Sequence, residues 1–222
     1  MSTPKDDIII AIDGPAGSGK STVARLVAGR LGLLYIDTGA MYRALTLKAT
    51  RRGLNLKDEG SLIKLAGSTS IDLQEIDGNL RVYLDSEDVT SSIRTHELTN
   101  NVRYVAKVPG VRERMVELQR ALGRRRGAVL EGRDIGTVVF PDARFKFYLD
   151  ADIKERARRR HKDLIAQGDT ISLESVERDV ASRDESDMTR SSGALKKSVD
   201  AVFIDTTDLT IDEVAGKVLS YI

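Results

Sequence analysis

Eight consecutive residues, Gly14-Pro15-Ala16-Gly17-Ser18-Gly19-Lys20-Ser21, carry the sharpest chemical signal in the chain. They match G-x-x-x-x-G-K-[ST], a pattern whose backbone N–H groups close around a phosphate. Gly14, Gly17 and Gly19 can take conformations that other residues avoid, so successive N–H groups can turn inward. A helix whose first turns are expected from Thr22 to Ala28 would aim its unsatisfied N–H groups and positive dipole end at the same point. Lys20 is then expected to reach the β- and γ-phosphates, and the Ser21 hydroxyl to hold Mg2+. This pattern predicts nucleoside triphosphate binding.

Three further charged clusters stand near the ends of apolar runs. Arg43 lies in the opening turns of a helix that follows Asp37-Thr38-Gly39. Glu131-Gly132-Arg133-Asp134 follows the run at 128–130. An acid there can orient Mg2+ through water, and the planar fork of Arg133 matches paired phosphate oxygens. Further on, Arg156, Arg159 and Arg160 are spaced to share one helix face, with Arg158 pointing elsewhere into solvent. Arg183 and Arg190 bracket Asp184, Glu185 and Asp187, and the turn Ala166-Gln167-Gly168-Asp169 separates the two sets. Two arms and a flexible turn fit a closing flap that brings arginines to charge on a transferred group. Spacing alone also allows a charged surface hairpin, and Arg43 could be an ordinary solvated charge. Arg124-Arg125-Arg126 ends a helix, where the dipole favours cations, and is read as structural.

These clusters need a frame. Apolar runs at 8–12, 34–36, 128–130, 145–149 and 201–204 alternate with helical stretches. That alternation predicts an α/β fold with a doubly wound, five-stranded parallel sheet and ligands beyond the carboxyl ends of its strands. Helices are expected at 40–52, 58–67, 93–107 and 111–126, with Pro109 suiting the start of the last. Asp152 to Glu155 and Thr210 to Glu213 have capping-box spacing. Short runs at 71–73, 80–84 and 88–90, with a turn at 77–79, read as a small antiparallel insert. The expected division is a core at 1–60, 103–155 and 186–222, an insert near 61–102 and a lid near 156–185.

Composition narrows the classes. A chain of 222 residues suits one large domain. Its 35 basic and 34 acidic side chains leave a formal charge of +1, which argues against a general nucleic-acid binder. It has no cysteine, hence no disulfide framework or thiolate zinc site, and His96 and His161 are too few and too far apart to suggest a metal cluster. The longest apolar run near the N-terminus, five residues, is too short for a signal or membrane segment, so a soluble intracellular protein is expected. A guanine-nucleotide switch would show N/TKxD and DxxG motifs, and neither is present. For a motor ATPase, only the stretch 145–150 imitates the expected second motif.

Longer matches bring in a resemblance. The chain resembles the bacterial cytidylate kinases of the nucleoside monophosphate kinase group, from residue 8 to near the C-terminus. The marks are IDGPAGSGKST (12–22), DTGAMYRA (37–44), EGRDIGTVVFPDA (131–143), ERARRR (155–160) and SRDESD (182–187). The first is shared by many kinases; the second and third together are specific. The resemblance implies a P-loop core with a lid and an enlarged monophosphate-binding insert. It implies transfer of the γ-phosphoryl group of ATP to CMP or dCMP with Mg2+. By matching position, Arg43 and Arg133 would hold the acceptor phosphate. Thr38, Arg112, Asp134 and Arg190 would read or line the cytosine, and Arg183 and Asp187 would contact the sugar. Lys20, Arg43, Arg133, Arg156 and Arg160 would carry the electrostatic stabilisation. Arg103 departs from the family, which commonly has serine there, and Glu131 stands where aspartate is also common. A cytoplasmic monomer with no membrane or nucleic-acid polymer partner is expected. Alternatives are a kinase of UMP or a shikimate-like acceptor, or a nucleotide-dependent regulator without enzymatic activity.

Overall fold

The computed structural model describes residues 8–166 and 168–222, so residues 1–7 of the expected core and Gln167 of the expected turn lie outside the described residues. In chain order, β1 (Ile9–Asp13) leads through the glycine-rich turn into α1 (Lys20–Leu31), and β2 (Leu34–Asp37) runs directly into α2 (Thr38–Arg51). Helix α3 (Glu59–Gly67) precedes an insert of three strands: β3 (Ile71–Ile76), β4 (Asn79–Leu84) and β5 (Glu87–Asp88). Helices α4 (His96–Ala106) and α5 (Pro109–Gly123) return the chain to β6 (Ala128–Gly132) and β7 (Phe145–Asp150). Two arginine-rich helices, α6 (Ile153–Ala166) and α7 (Leu173–Met188), precede β8 (Val202–Asp205) and α8 (Ile211–Leu219).

The expected parallel sheet forms in the order β2-β6-β1-β7-β8, with every pairing parallel. Its central strand, β1, has Ile10, Ala11 and Ile12 fully buried, because helices cover both faces and leave no solvated side to alternate toward. One core packs Met41, Leu45, Leu62, Met115 and Leu130 on the side of α2, α3 and α5. The other packs Val23, Val27, Phe147, Ile204 and Val218 on the side of α1 and α8. The expected insert is an antiparallel sheet, β3-β4-β5. Its first hairpin turns at Asp77 and Gly78, both at positive φ (52° and 72°), the twist that a two-residue hairpin requires. Arg125 and Arg126 pair with Asp72 and Glu75 of β3, so the basic run tethers the insert.

Local expectations fail in three places. The stretch expected as one helix at 93–107 breaks into a 3-10 turn, Ser92–Arg94, and α4, because Thr95 caps α4 by accepting from Leu98 N. Helix α5 stops at Gly123 rather than running through the arginines. The capping box at Asp152 does not form: Arg158 and Arg159 occupy both Glu155 oxygens, and Thr207 Oγ1 accepts the Asp152 N–H at 2.9 Å. At Thr210 and Glu213, with no such competitors, the box forms fully.

Candidate active site

The carboxyl ends of β1, β2 and β6 converge on the glycine-rich loop. Gly17 sits at φ +79°, and a Cβ there would lie 2.7 Å from the backbone oxygen of Arg156, so α6 packs directly on the loop. Ser18 Oγ is fully buried in the loop without a hydrogen-bond partner among the described residues. Lys20 Nζ donates to Pro15 O at 3.0 Å and stands 3.9 Å from Glu131 Oε2. Burial, and then the Arg133 charge, pushes the Lys20 ammonium down to about 7. Ser21 Oγ donates to Glu131 Oε1 at 2.7 Å. Burial and then Asp37 raise the Glu131 carboxyl above its ordinary range.

Asp37 accounts for the placement of Arg43. Its Oδ1 caps α2 by accepting from Ala40 N, and its Oδ2 pairs with Arg43 at 2.8 Å. Burial opposes its charge, but Arg43 and the Ala40 N–H hold the carboxyl below its usual value. Among the described residues no group of three His, Cys, Asp or Glu side chains could hold a metal alone. The hard oxygens of Ser21 and Glu131 instead suit Mg2+ shared with phosphates, which keeps much of its water.

Facing this floor is a set of like charges. Arg183 makes no hydrogen bond or ion pair among the described residues; burial, Arg133, Arg43 and Arg160 together press its guanidinium down to about 10, against the pull of Asp187. Arg160 is likewise lowered, first by burial and then by Arg43, despite Asp163. Side chains from α1, α2, α6, α7 and the turn after β6 thus aim positive charge at one another. An anion within this cluster would relieve the repulsion that the neighbouring acids leave uncompensated.

Beside the cluster lies a second, paired group. Arg112 Nη2 bonds Asp134 Oδ2, Arg112 Nη1 reaches Ala106 O at 3.2 Å, and its guanidinium lies 5.6 Å over the Tyr42 ring. Asp187 bridges Arg133 Nε (2.6 Å) and Arg190. Tyr42 Oη and Arg190 Nε are buried without partners next to these pairs. Gly193, at φ +59°, seals the group, because a Cβ there would overlap Arg112 Nη2 and Asp134 Oδ2.

Lys20, Arg43, Arg133, Arg160, Arg183 and Asp187 lie within electrostatic reach of one another, Ser21 joins them through Glu131 and Arg190 through Asp187, and Arg112 pairs with Asp134 beside Arg190. Thr38 is buried with its hydroxyl on Glu131 O at 2.7 Å. Arg156 differs from its helix neighbour Arg160: it is committed to Asp184 and to the carbonyls of Ala151 and Ala16. Arg159 holds the loop after β8 through Thr206 O (2.6 Å) and Thr207 O (3.2 Å). Arg158 is exposed on Glu155, as expected. Arg103 is exposed and lies over the Tyr104 ring. Sequence reasoning missed Asp13, whose carboxylate accepts from Ile135 N and Gly136 N, both at 2.8 Å. Burial raises it to about 7 despite those two bonds. The available signal was an acid ending a buried strand one residue before Gly14.

A phosphate-binding loop on a parallel sheet, an acid on its serine and facing arginines define a P-loop phosphotransferase. The cytidylate kinase family profile matches residues 10–222. The chain is 51% identical to a cytidylate kinase of Pelotomaculum thermopropionicum, over 95% of this chain and 94% of the other. It is 51% identical to a cytidylate kinase of Geobacillus thermodenitrificans, over 97% and 96%. In fold it is similar to the crystal structure of an uncharacterized protein from Eubacterium ventriosum (TM-score 0.53, 12% identity, 97% and 98% covered). The chain belongs to the cytidylate kinase family.

Proposed function

We propose that this chain transfers the γ-phosphoryl group of ATP to CMP or dCMP. The observation that carries this reading is the set of facing cations, Lys20, Arg43, Arg133, Arg160 and Arg183, beside the Arg112–Asp134 pair. Two anionic substrates brought head to head supply the countercharge that Arg160 and Arg183 lack. The loop from Gly14 to Thr22 cradles the triphosphate, and Lys20 bridges its outer phosphates. Ser21, with Glu131 through water, would hold Mg2+, which when bound neutralises charge on those phosphates. Arg43 and Arg133 hold the acceptor phosphate, an anionic oxygen of which attacks in line, so no general base is required. Arg183 and Asp187 hold the sugar; Arg112, Asp134, Arg190 and Thr38 form the base site. Arg160, with Arg156 fixing α6 on the loop, completes the positive surround. The insert near 61–102 and lid near 156–185 act as the units that close on substrate and exclude water.

No helix among the described residues is long and apolar enough to cross a membrane. The absence of cysteine suits the reducing cytoplasm. The working unit in this reading is a monomer.

A panel of nucleoside monophosphates and shikimate, with ATP, Mg2+ and coupled ADP detection, tests the reading. CMP and dCMP are expected to outrun UMP. ATP consumption that requires a macromolecular partner instead of a small acceptor would overturn the enzyme assignment. Asp134→Asn keeps the shape but removes the charge that accepts the cytosine amino group. A hydrogen bond to a charged group contributes about 1.5–3 kcal/mol, so CMP over UMP preference should fall by about tenfold to a hundredfold. Equal losses for both substrates would assign Asp134 to phosphate or metal placement instead.

A further inference from the structure

The chain after β6 makes a tight π-helical turn, Ile135–Val139, whose capping residue is Asp134. An aspartate at this position ordinarily turns its carboxylate back onto the N–H groups of its own turn. Asp37 and Asp58 do so at the starts of α2 and α3, and the hydroxyls of Thr95, Ser172 and Thr210 accept in the same way at α4, α7 and α8. Asp134 does not, and its side chain makes no capping bond. The donors it leaves, Ile135 N and Gly136 N, go to Asp13 Oδ1 and Oδ2 at 2.8 Å each, across 122 and 123 residues of sequence. Asp13 can reach them because it pairs in register with Gly132, the last residue of β6. It is only 5% exposed, and its chain neighbour is Gly14 of the phosphate loop.

We propose that Asp13 is a positioning residue for base recognition: by capping the turn after β6, it releases the Asp134 carboxylate to pair with Arg112. The proposal rests on the reading of Asp134 as a reader of the base. Without the Asp13 carboxylate, two buried N–H groups lose their acceptors, and such groups are costly to leave unpaired. The Asp134 carboxylate is the acceptor next to them in the chain. Turning to them, it would abandon Arg112 and the base. Asp13 therefore joins the loop that holds the donor phosphates to the residue that selects the acceptor. This division of labour concerns two aspartates far apart in sequence, one ending β1 and the other two residues beyond the end of the neighbouring β6.

The test is a double-mutant cycle on the CMP-to-UMP ratio of kcat/KM. Asp13→Asn retains one acceptor but places an amide against the other donor. It should lower the ratio about tenfold, the effect of one weakened charged hydrogen bond. In an Asp134→Asn background, Asp13→Asn should lower the ratio no further. The 15N signals of the Arg112 guanidinium in the free protein supply a readout apart from activity, and they should lose the signature of a fixed ion pair. Asp13→Glu keeps the charge but moves both oxygens, and serves if Asp13→Asn does not fold. Equal losses for CMP and UMP, an unchanged Arg112 spectrum, or a full extra effect in the double variant would overturn the proposal. If Asp134→Asn itself leaves the ratio unchanged, the reading of Asp134 fails and this proposal falls with it. If only Asp13 variants leave it unchanged, the proposal alone fails.

Discussion

Replacing Arg183 with methionine should stabilise the substrate-free chain while damaging its activity. The guanidinium is pushed from 12.5 to about 10 by burial and by Arg133, Arg43 and Arg160, with Asp187 only partly compensating. At about 1.4 kcal/mol per pKa unit, the strain of keeping it charged has a ceiling of about 3 kcal/mol. The side chain is partly open to solvent, which screens the repulsion and leaves about 1–2 kcal/mol. For a base whose folded pKa is depressed, the penalty is fully present below the folded value and is relieved as pH rises above it. At neutral pH it is therefore undiminished, and Arg183→Met removes it. In a chain of this size that corresponds to a rise in Tm of about 2–8 °C, measured by circular dichroism without ligand. Addition of CMP and a non-hydrolysable ATP analogue should raise Tm less in the variant than in the parent. The coupled assay should show kcat/KM for CMP reduced about tenfold to a hundredfold, as expected for one lost charged hydrogen bond to substrate. A lower Tm with unchanged activity would refute the argument, because Arg183 would then be an ordinary stabilising surface arm.

Three further outcomes follow from the same geometry. Lys20, at about 7 in the free chain, should regain its proton on meeting a polyphosphate. Binding of an ATP analogue near pH 8 should then take up protons and weaken as pH rises further. Calorimetry in buffers of different ionisation enthalpy measures the uptake, and identical uptake in Lys20→Ala would contradict the assignment. The same variant should lose turnover far more than CMP affinity. Helices α6 and α7 share only a small apolar cluster of their own, Ala157, Leu164, Val176 and Val180. Amide exchange across 156–183 should therefore slow markedly when both substrates are present, and equal protection with and without them would remove the flap.

Much of this protein can be read along one dimension. Continuous apolar runs place β1, β2, β6 and β7, because strands covered on both faces are largely apolar, and a shorter run places the edge strand β8, where Phe203 stays exposed. The phosphate loop is equally local: its glycines, Lys20 and Ser21 act within one turn, and the following helix aligns them. The β insert is legible from the Asp77-Gly78 turn between alternating strands. Side-chain partnership is different. Arg156 and Arg160 share a face by spacing, yet one is held by Asp184 and Ala16 O while the other meets Arg43 and Arg183. Glu155 has the spacing of a capping box and is claimed by Arg158 and Arg159 instead. Asp134 has the position of a helix cap and is relieved of it by Asp13. In each case the local signal describes what a side chain could bond, while the bond made depends on competitors that packing brings from distant segments. Tertiary structure decided those competitions, because a buried polar group takes whichever partner the surrounding elements place within reach.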